Sequence, residues 1–552
     1  MTRWFTTVTA TLIFLVMADL VRAEPAKAGE PVKALFAAAR TNKSAFRSLE
    51  KLATAGNATA ELFMGDLCVP GLEKKVTTLK PDLAAAMSWY KKSAEQGNPR
   101  AENSVGWFYL KGLSTAADTT KAMHWFRLAA AGGDLRACNN MGLIYQYGRS
   151  VSQDYTKAMK WFMKAARRGN PFGEMKVGWF YLKGMGTASH FRKAMHWLRL
   201  AAAKHDPWAL LDVGWIYEDG YGVRANATKA AKWYRLAAHA GVPAAEYDLG
   251  RLYALGKGVR KDFPKAIKWL RMAADQGYRK ADGTLGNIYL GLDGFDPGYG
   301  FDPTRALKWV RRGVALNDPT SEWQLGAMYL NGWGVKKNEY LYAKYERLAA
   351  RQGNCEAEYN LAILYYVGSI IHKNLPRAYY WYRQSAHAGF SWAETGLADC
   401  YYSGTGTKAN PAKAFFWNRR AARQGDVDAE ANLGLCYANA EGTRTNYTKA
   451  SYWWHKAAYG GSREGDFYCG ISDRNNHHYA RAFKWLLLAA TARGPDREYK
   501  LSAEIAVAKL YERGQGVAKS LEKADYWLTK AVRAGSVKAK QDRRKLDMYG
   551  SF

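Results

Sequence analysis

Residues Ala245–Gly277 read AEYDLGRLYALGKGVRKDFPKAIKWLRMAADQG, and this stretch decides the fold because nearly all of the chain is a copy of it. Ala245, Leu249, Leu252 and Tyr253 fall at helical spacing and predict a first helix, A, with Gly250 on its apolar face where a neighbouring backbone must come close. Gly256-Lys257-Gly258-Val259 supplies a turn able to take positive φ, and Asp262 stands where a helix N-cap belongs. Ala266, Trp269, Leu270, Ala273 and Ala274 predict a second helix, B, in which a bulky ring and small alanines alternate so that neighbouring helices interlock, and Gly277 closes it.

The ring marks the period. Trp89, Trp125, Trp161, Trp197, Trp233 and Trp269 stand 36 residues apart; after one step of 40 the series runs Trp309, Tyr345, Trp381, Trp417 and Trp453, and Trp485 and Trp527 finish it. The helix A glycine recurs at Gly106, Gly142, Gly178, Gly214, Gly286, Gly326 and Gly434, and the cap position holds Asp154, Asn226, Asn374, Asn410, Asn446 and Ser520. Such a period predicts an all-α solenoid of about 12 helix-turn-helix repeats of 36 residues, with the indole rings as wedges between layers.

At these residues the chain resembles the Sel-1-like repeat family, whose units read roughly A-E-x-x-L-G-x-x-Y, then G-x-G-V, then K-A-x-x-W/Y-x-x-x-A-A-x-x-G. The resemblance covers roughly residues 45 to 540. The related tetratricopeptide repeat has a period of about 34 and lacks the G-x-G-V turn. The resemblance implies a right-handed α/α superhelix that serves as an adaptor surface, usually for other proteins and often in exported settings, with no shared enzymatic residue set.

In chain order, residues 1–23, MTRWFTTVTATLIFLVMADLVRA, have a short basic start, an apolar run and small residues at Val21 and Ala23, and so read as a cleaved secretory signal peptide. Residues 24–43 read as a linker, 44–59 as an N-terminal capping half-repeat, 60–538 as the array and 539–552 as a basic C-terminal cap. Irregular connections are expected at Val69–Asp82, at Gly291–Pro303 and at Gly494–Leu501. The repeat from Gly465 reads as the weakest point, because SDRNNHHYAR replaces the end of helix A and the turn.

A net charge of +32, from 81 basic and 49 acidic residues, falls largely in columns on helix B. Lys121, Lys157, Lys193, Lys229 and Lys265 lie four residues before the ring; Arg127, Arg199, Arg235 and Arg271 lie two after it. Two readings of this stripe stay open: a solvated face whose long stems and cations cover aromatic rings, or an attraction to an anionic envelope polymer or glycan. Nucleic acid is not expected, since no nucleic-acid fold signature is present.

Helix A is expected to line the concave side, where positions outside the core vary from repeat to repeat. Trp107, Trp179, Trp215 and Arg251 stand six residues after their repeat starts, and Asn140, Lys176, Asp212 and Asp248 stand three after. Aromatic residues make good interface anchors, so these eight are the candidate partner-binding face, with packing between repeats as the other explanation for the rings.

Chemistry-bearing patterns are few. Ser520 of a Ser-x-x-Lys match occupies the cap column, His477 and His478 have no third nearby ligand, and the Gly-x-Gly turns follow helices rather than strands. The glutamates after each repeat start read as a solvated, helix-starting column. Four N-x-Ser/Thr sequons begin at Asn42, Asn57, Asn226 and Asn446, and most of the six cysteines read as buried thiols. The sequence therefore predicts an exported protein-interaction scaffold, periplasmic or secreted, or in the endoplasmic-reticulum lumen of a eukaryote, that is not an enzyme, with no cofactor, no metal, no catalytic residue and no transmembrane span after signal cleavage. A binder of anionic polymer through the helix B columns is the alternative, and an envelope hydrolase comes third.

Overall fold

The structure, a computed structural model, describes residues 30–69, 82–292, 300–491 and 497–549. Every regular element among them is a helix, and A and B helices alternate through two compact bodies, Met1–Asp262 and Phe263–Phe552. The signal-peptide reading of residues 1–23 lies outside the described residues, as do 70–81, 293–299 and 492–496 within the three irregular connections.

One repeat shows how the sequence makes the hairpin. Helix A, Pro207–Asp219, begins on Asp206, whose carboxylate accepts from the backbone N–H groups of Trp208 and Ala209, and ends on Gly220 at φ 77°. Gly222, at φ 68°, is excluded from other identities twice over: a Cβ there would lie 2.5 Å from the Cβ of Phe191 in the preceding helix B. Asn226 then does two jobs. Its backbone N–H donates to the Tyr217 carbonyl at 2.6 Å, closing the turn, and its side chain accepts from the Lys229 N–H at 2.9 Å, starting helix B at Ala227–His239. The same clasp recurs from Asp118 to Tyr109, Asp154 to Tyr145 and Asn446 to Tyr437.

From Trp89 to Trp269 the buried wedge is the residue after the tryptophan, whereas Trp309, Trp417 and Trp527 are themselves buried. Tyr90, Phe126, Phe162, Leu198, Tyr234 and Leu270 are buried, whereas Trp89, Trp125, Trp161, Trp197, Trp233 and Trp269 are only half-buried. The helix A glycine fits this wedge: a Cβ on Gly142 would lie 2.6 Å from the Phe162 ring, and one on Gly214 would lie 2.4 Å from the Tyr234 ring. Glycine is required because the ring of helix B rests on the backbone of helix A.

The glutamate column is also not solvated. Glu102, Glu174, Glu246, Glu322, Glu358, Glu394 and Glu430 are all buried. Most meet a partner at the end of helix B of their own repeat: Lys204 Nζ donates to Glu174 at 2.5 Å, Gln352 to Glu322 at 2.6 Å and Gln424 to Glu394 at 2.9 Å, while Arg420 forms an ion pair with Glu394 at 2.8 Å and Lys456 with Glu430 at 2.7 Å. Each such pair ties the start of helix A to the end of helix B.

Residues 30–39 of the expected linker form a helix, Glu30–Ala39, with Phe36 stacked on Phe63 at 4.3 Å. Lys43–Thr54 follows, capped by Asn42. Helix A of the Gly465 repeat is complete, Arg463–Asn475, and only its turn is short. The terminal helix is Val537–Tyr549. All six cysteines are free thiols, and burial pushes Cys400 up to about 12 and Cys436 up to about 11. No helix among the described residues is long and apolar enough to cross a membrane.

Candidate functional site

Within each body successive A helices approach one another, as Pro171–Lys183 does Pro207–Asp219 and Val427–Asn439 does Arg463–Asn475, which makes the A helices the tighter, inner layer. Positions three and six of helix A point along that layer and meet across repeats. The Trp215 indole N–H donates to the Asp248 carboxylate of the next repeat at 2.7 Å. Arg251 binds Glu218 and lies 3.9 Å from Asp248, and the Tyr234 hydroxyl donates to the other Glu218 oxygen at 2.7 Å. Asn140 donates to Asn103 at 2.9 Å. Trp107 is packed into the core, 8% exposed and edge-on to Phe108, rather than standing out on the predicted face.

One repeat earlier the same geometry is open. Trp179 and Asp212 hold the positions of Trp215 and Asp248, but neither makes a hydrogen bond or ion pair with the other or with any described residue. Lys176 instead lies over the Trp179 and Phe172 rings, at 5.5 and 5.3 Å. Asp212 is 5% exposed. Burial pushes its carboxyl up to about 7 against the opposing pull of Lys176 and Lys183, and burial lowers Lys176 to about 8 against the pull of Asp212 and Asp206. The arrangement offers an acceptor and an indole donor without a hydrogen bond to protein, beside an ammonium held over two rings.

The helix B cations converge instead on a tyrosine column of helix A. Lys121 lies 5.6 Å over Tyr109, Lys157 5.6 Å over Tyr145, Lys193 5.4 Å over Tyr181 and Lys229 5.4 Å over Tyr217. From the neighbouring repeat Arg199 donates to the Tyr217 hydroxyl at 2.8 Å, Arg235 to Tyr253 at 3.0 Å and Arg271 to Tyr289 at 3.2 Å. Lys121 and Lys157 also pair with the cap carboxylates of Asp118 and Asp154. Arg127 and Lys265 are exposed on the same face. Packing over tyrosine thus engages most of these cations without excluding an anionic ligand on the same face, and the repeated Tyr eight residues after each repeat start was the signal available in the sequence.

Elsewhere, His477 shares a hydrogen bond with Tyr479, His478 lies beside Asp473 and Arg481, and Ser520 caps its helix B. Among the described residues no group of three His, Cys, Asp or Glu is placed to hold a metal ion.

A family model described as Sel1 repeat matches residues 58–98, 99–134, 135–170, 171–206, 209–242, 243–278, 285–318, 319–354, 355–390, 393–426, 427–462, 468–493 and 501–536. Among solved structures, c5321, a protective antigen of uropathogenic Escherichia coli strains with an SLR fold, is 28% identical with a TM-score of 0.56, over 84% of this chain and 97% of that one. A Sel1 repeat protein from Oxalobacter formigenes is 30% identical with a TM-score of 0.37, over 42% of this chain and 95% of that one. No curated protein matches the chain.

Proposed function

Because the chain belongs to the Sel1 repeat family, we propose that it is an exported, non-catalytic scaffold that binds partner proteins on the helix A face of the Met1–Asp262 body. Solenoids of this family are typical protein-interaction scaffolds. The observation that carries the reading is the open Trp179–Asp212 position beside Lys176, one repeat from its closed copy at Trp215–Asp248. At 5% exposure the Asp212 carboxylate keeps a narrow opening to solvent, through which a partner group can replace water. An extended peptide does so, its N–H donating to Asp212 and its carbonyl accepting from the Trp179 indole or Lys176. Export is supported by the basic-then-apolar pattern of residues 1–23.

The test is affinity capture from the native compartment with full-length wild type and with an Asp212→Asn, Trp179→Phe variant as baits. Partners held at this site are lost from the variant while its helical signal is unchanged. An identical set of captured proteins would refute the site. Fractionation of cells with N-terminal sequencing checks export, and a chain retaining Met1 in the cytoplasm would overturn that part.

A further inference from the structure

In helix B the residue before the ring column is His124, Lys160, His196, Lys232, Lys268, Lys308 and Lys344 through seven successive repeats, and then Tyr380, Phe416 and Tyr452 in the next three. These three rings are 50%, 56% and 61% exposed. Each is held edge-on by the tryptophan that follows it: Tyr380 by Trp381 at 5.0 Å and 81°, Phe416 by Trp417 at 5.2 Å and 84°, Tyr452 by Trp453 at 5.2 Å and 81°. Three neighbouring repeats thus present a ring in one fixed orientation.

Arg or Lys stands beside every ring at helical spacing, on both sides of the first two and on one side of the third, where His455 takes the other position. Arg377 and Arg383 stand three residues either side of Tyr380, Lys413 and Arg419 either side of Phe416, and Lys449 and His455 either side of Tyr452. Arg377, Lys413 and Lys449 are fixed over Tyr365, Tyr401 and Tyr437 of helix A, at 5.6, 5.1 and 5.3 Å. The fold does not call for rings here, because seven other repeats build the same helix with Lys or His. An exposed aromatic column in a basic surface marks an interaction site.

We propose that this grid binds a linear acidic polysaccharide of the polyuronate class, lying across helices Leu375–Ala388, Pro411–Arg423 and Tyr447–Tyr459, with sugar faces on the rings and carboxylates on the cations. Charge complementarity selects an anion, and the single file of rings selects a chain. A bilayer is disfavoured because a polar or cationic side chain interrupts the apolar surface on both sides of each ring, leaving no continuous band to enter the membrane. Single-stranded nucleic acid also uses rings and cations, so it is one of the polymers the test must separate. The export proposed above makes polysaccharide the polyanion at hand, but binding can be measured whether or not the chain is exported.

The experiment is titration calorimetry of the full chain with size-fractionated polygalacturonate at several salt concentrations. Tyr380→Ser, Phe416→Ser, Tyr452→Ser together should weaken binding about tenfold or more with the salt slope unchanged. Arg383→Gln with Arg419→Gln should instead flatten the slope. Substituting Lys160, Lys232 and Lys268 to Ser, at the same column of other repeats, should leave the ring-dependent component intact. If the triple variant melts early, the three single variants replace it, each expected to lose about twofold. No binding by wild type, wild-type affinity in the ring variants, or tighter ring-dependent binding to oligo-dT or phosphatidylglycerol vesicles would each overturn the proposal.

Discussion

Gly214→Ala sets two known effects against each other at one position. Replacing glycine by alanine inside a helix favours folding by about 1 kcal/mol through backbone entropy. Here the new Cβ would lie 2.4 and 2.5 Å from two Tyr234 ring carbons, where about 3.5 Å is needed, so ring and helix must part by about 1 Å. The ring cannot retreat freely. It is fully buried, and its hydroxyl is tied to Glu218, which also holds Arg251. Overpacking of this kind costs about 1–3 kcal/mol and loss of the hydroxyl bond about 1 more, so the steric effect wins by about 1–3 kcal/mol. At about 2–4 °C per kcal/mol for a body of this size, thermal melting followed by circular dichroism should show a drop of several degrees. Gly326→Ala is the contrast, because its Cβ meets the far end of the Glu346 side chain at 3.0 Å and nothing else closer than 3.5 Å. Glu346 is also fully buried, but a far smaller shift suffices, so that variant should lose clearly less than Gly214→Ala. Equal shifts in both variants, or a raised melting temperature for Gly214→Ala, would refute the ring-on-backbone reasoning.

Burial, with Glu356 adding repulsion, raises Glu358 to about 7. Protonated, it folds without penalty below pH 4.5, and stability is lost as pH rises from 4.5 through 7; Glu358→Gln should therefore be more stable than wild type in urea at pH 8 and no different at pH 4. Lys204→Met strands the Glu174 carboxylate and should cost about 1–2 kcal/mol, given that the ammonium is partly exposed; adding Glu174→Gln should restore most of it, as a double-mutant cycle would show. Tyr217→Phe keeps the ring under Lys229 but drops the bond from Arg199, so it should cost no more than about 1 kcal/mol by chemical denaturation, and Tyr217→Leu distinctly more.

The repeat, its turn and its caps were legible in the sequence because each rests on local rules: glycine where φ is positive, Asn or Asp where a helix begins. Burial was harder to read. In Trp233-Tyr234 both residues are aromatic and the larger one stands out, yet helix geometry turns the second toward Gly214 and leaves the first half-buried. The buried glutamates were misread because a carboxylate in the first turn of a helix is also what the dipole favours at a wet surface. Their signal lay a helix away, in Lys204, Gln352, Arg420, Gln424 and Lys456 near the end of helix B of the same repeat. Of the predicted inner face, the period put positions three and six on one side of helix A but did not report that they meet across repeats, as Trp215 and Asp248 do. That Trp107 is covered while Trp179 and Trp215 remain partly open depends on neighbouring side chains, which a period does not report.

The residue that clasps the hairpin does so wherever the two helices are joined, whatever lies between. Asp82 still donates its backbone N–H to the Cys68 carbonyl at 3.0 Å across residues 70–81, and Asp302 to Tyr289 at 2.9 Å across 293–299. The joint therefore acts as a port: chain can be spliced in there without disturbing the hairpins on either side. New peptides grafted at those two places should be carried by the scaffold, which gives the molecule a way of acquiring binding loops one at a time.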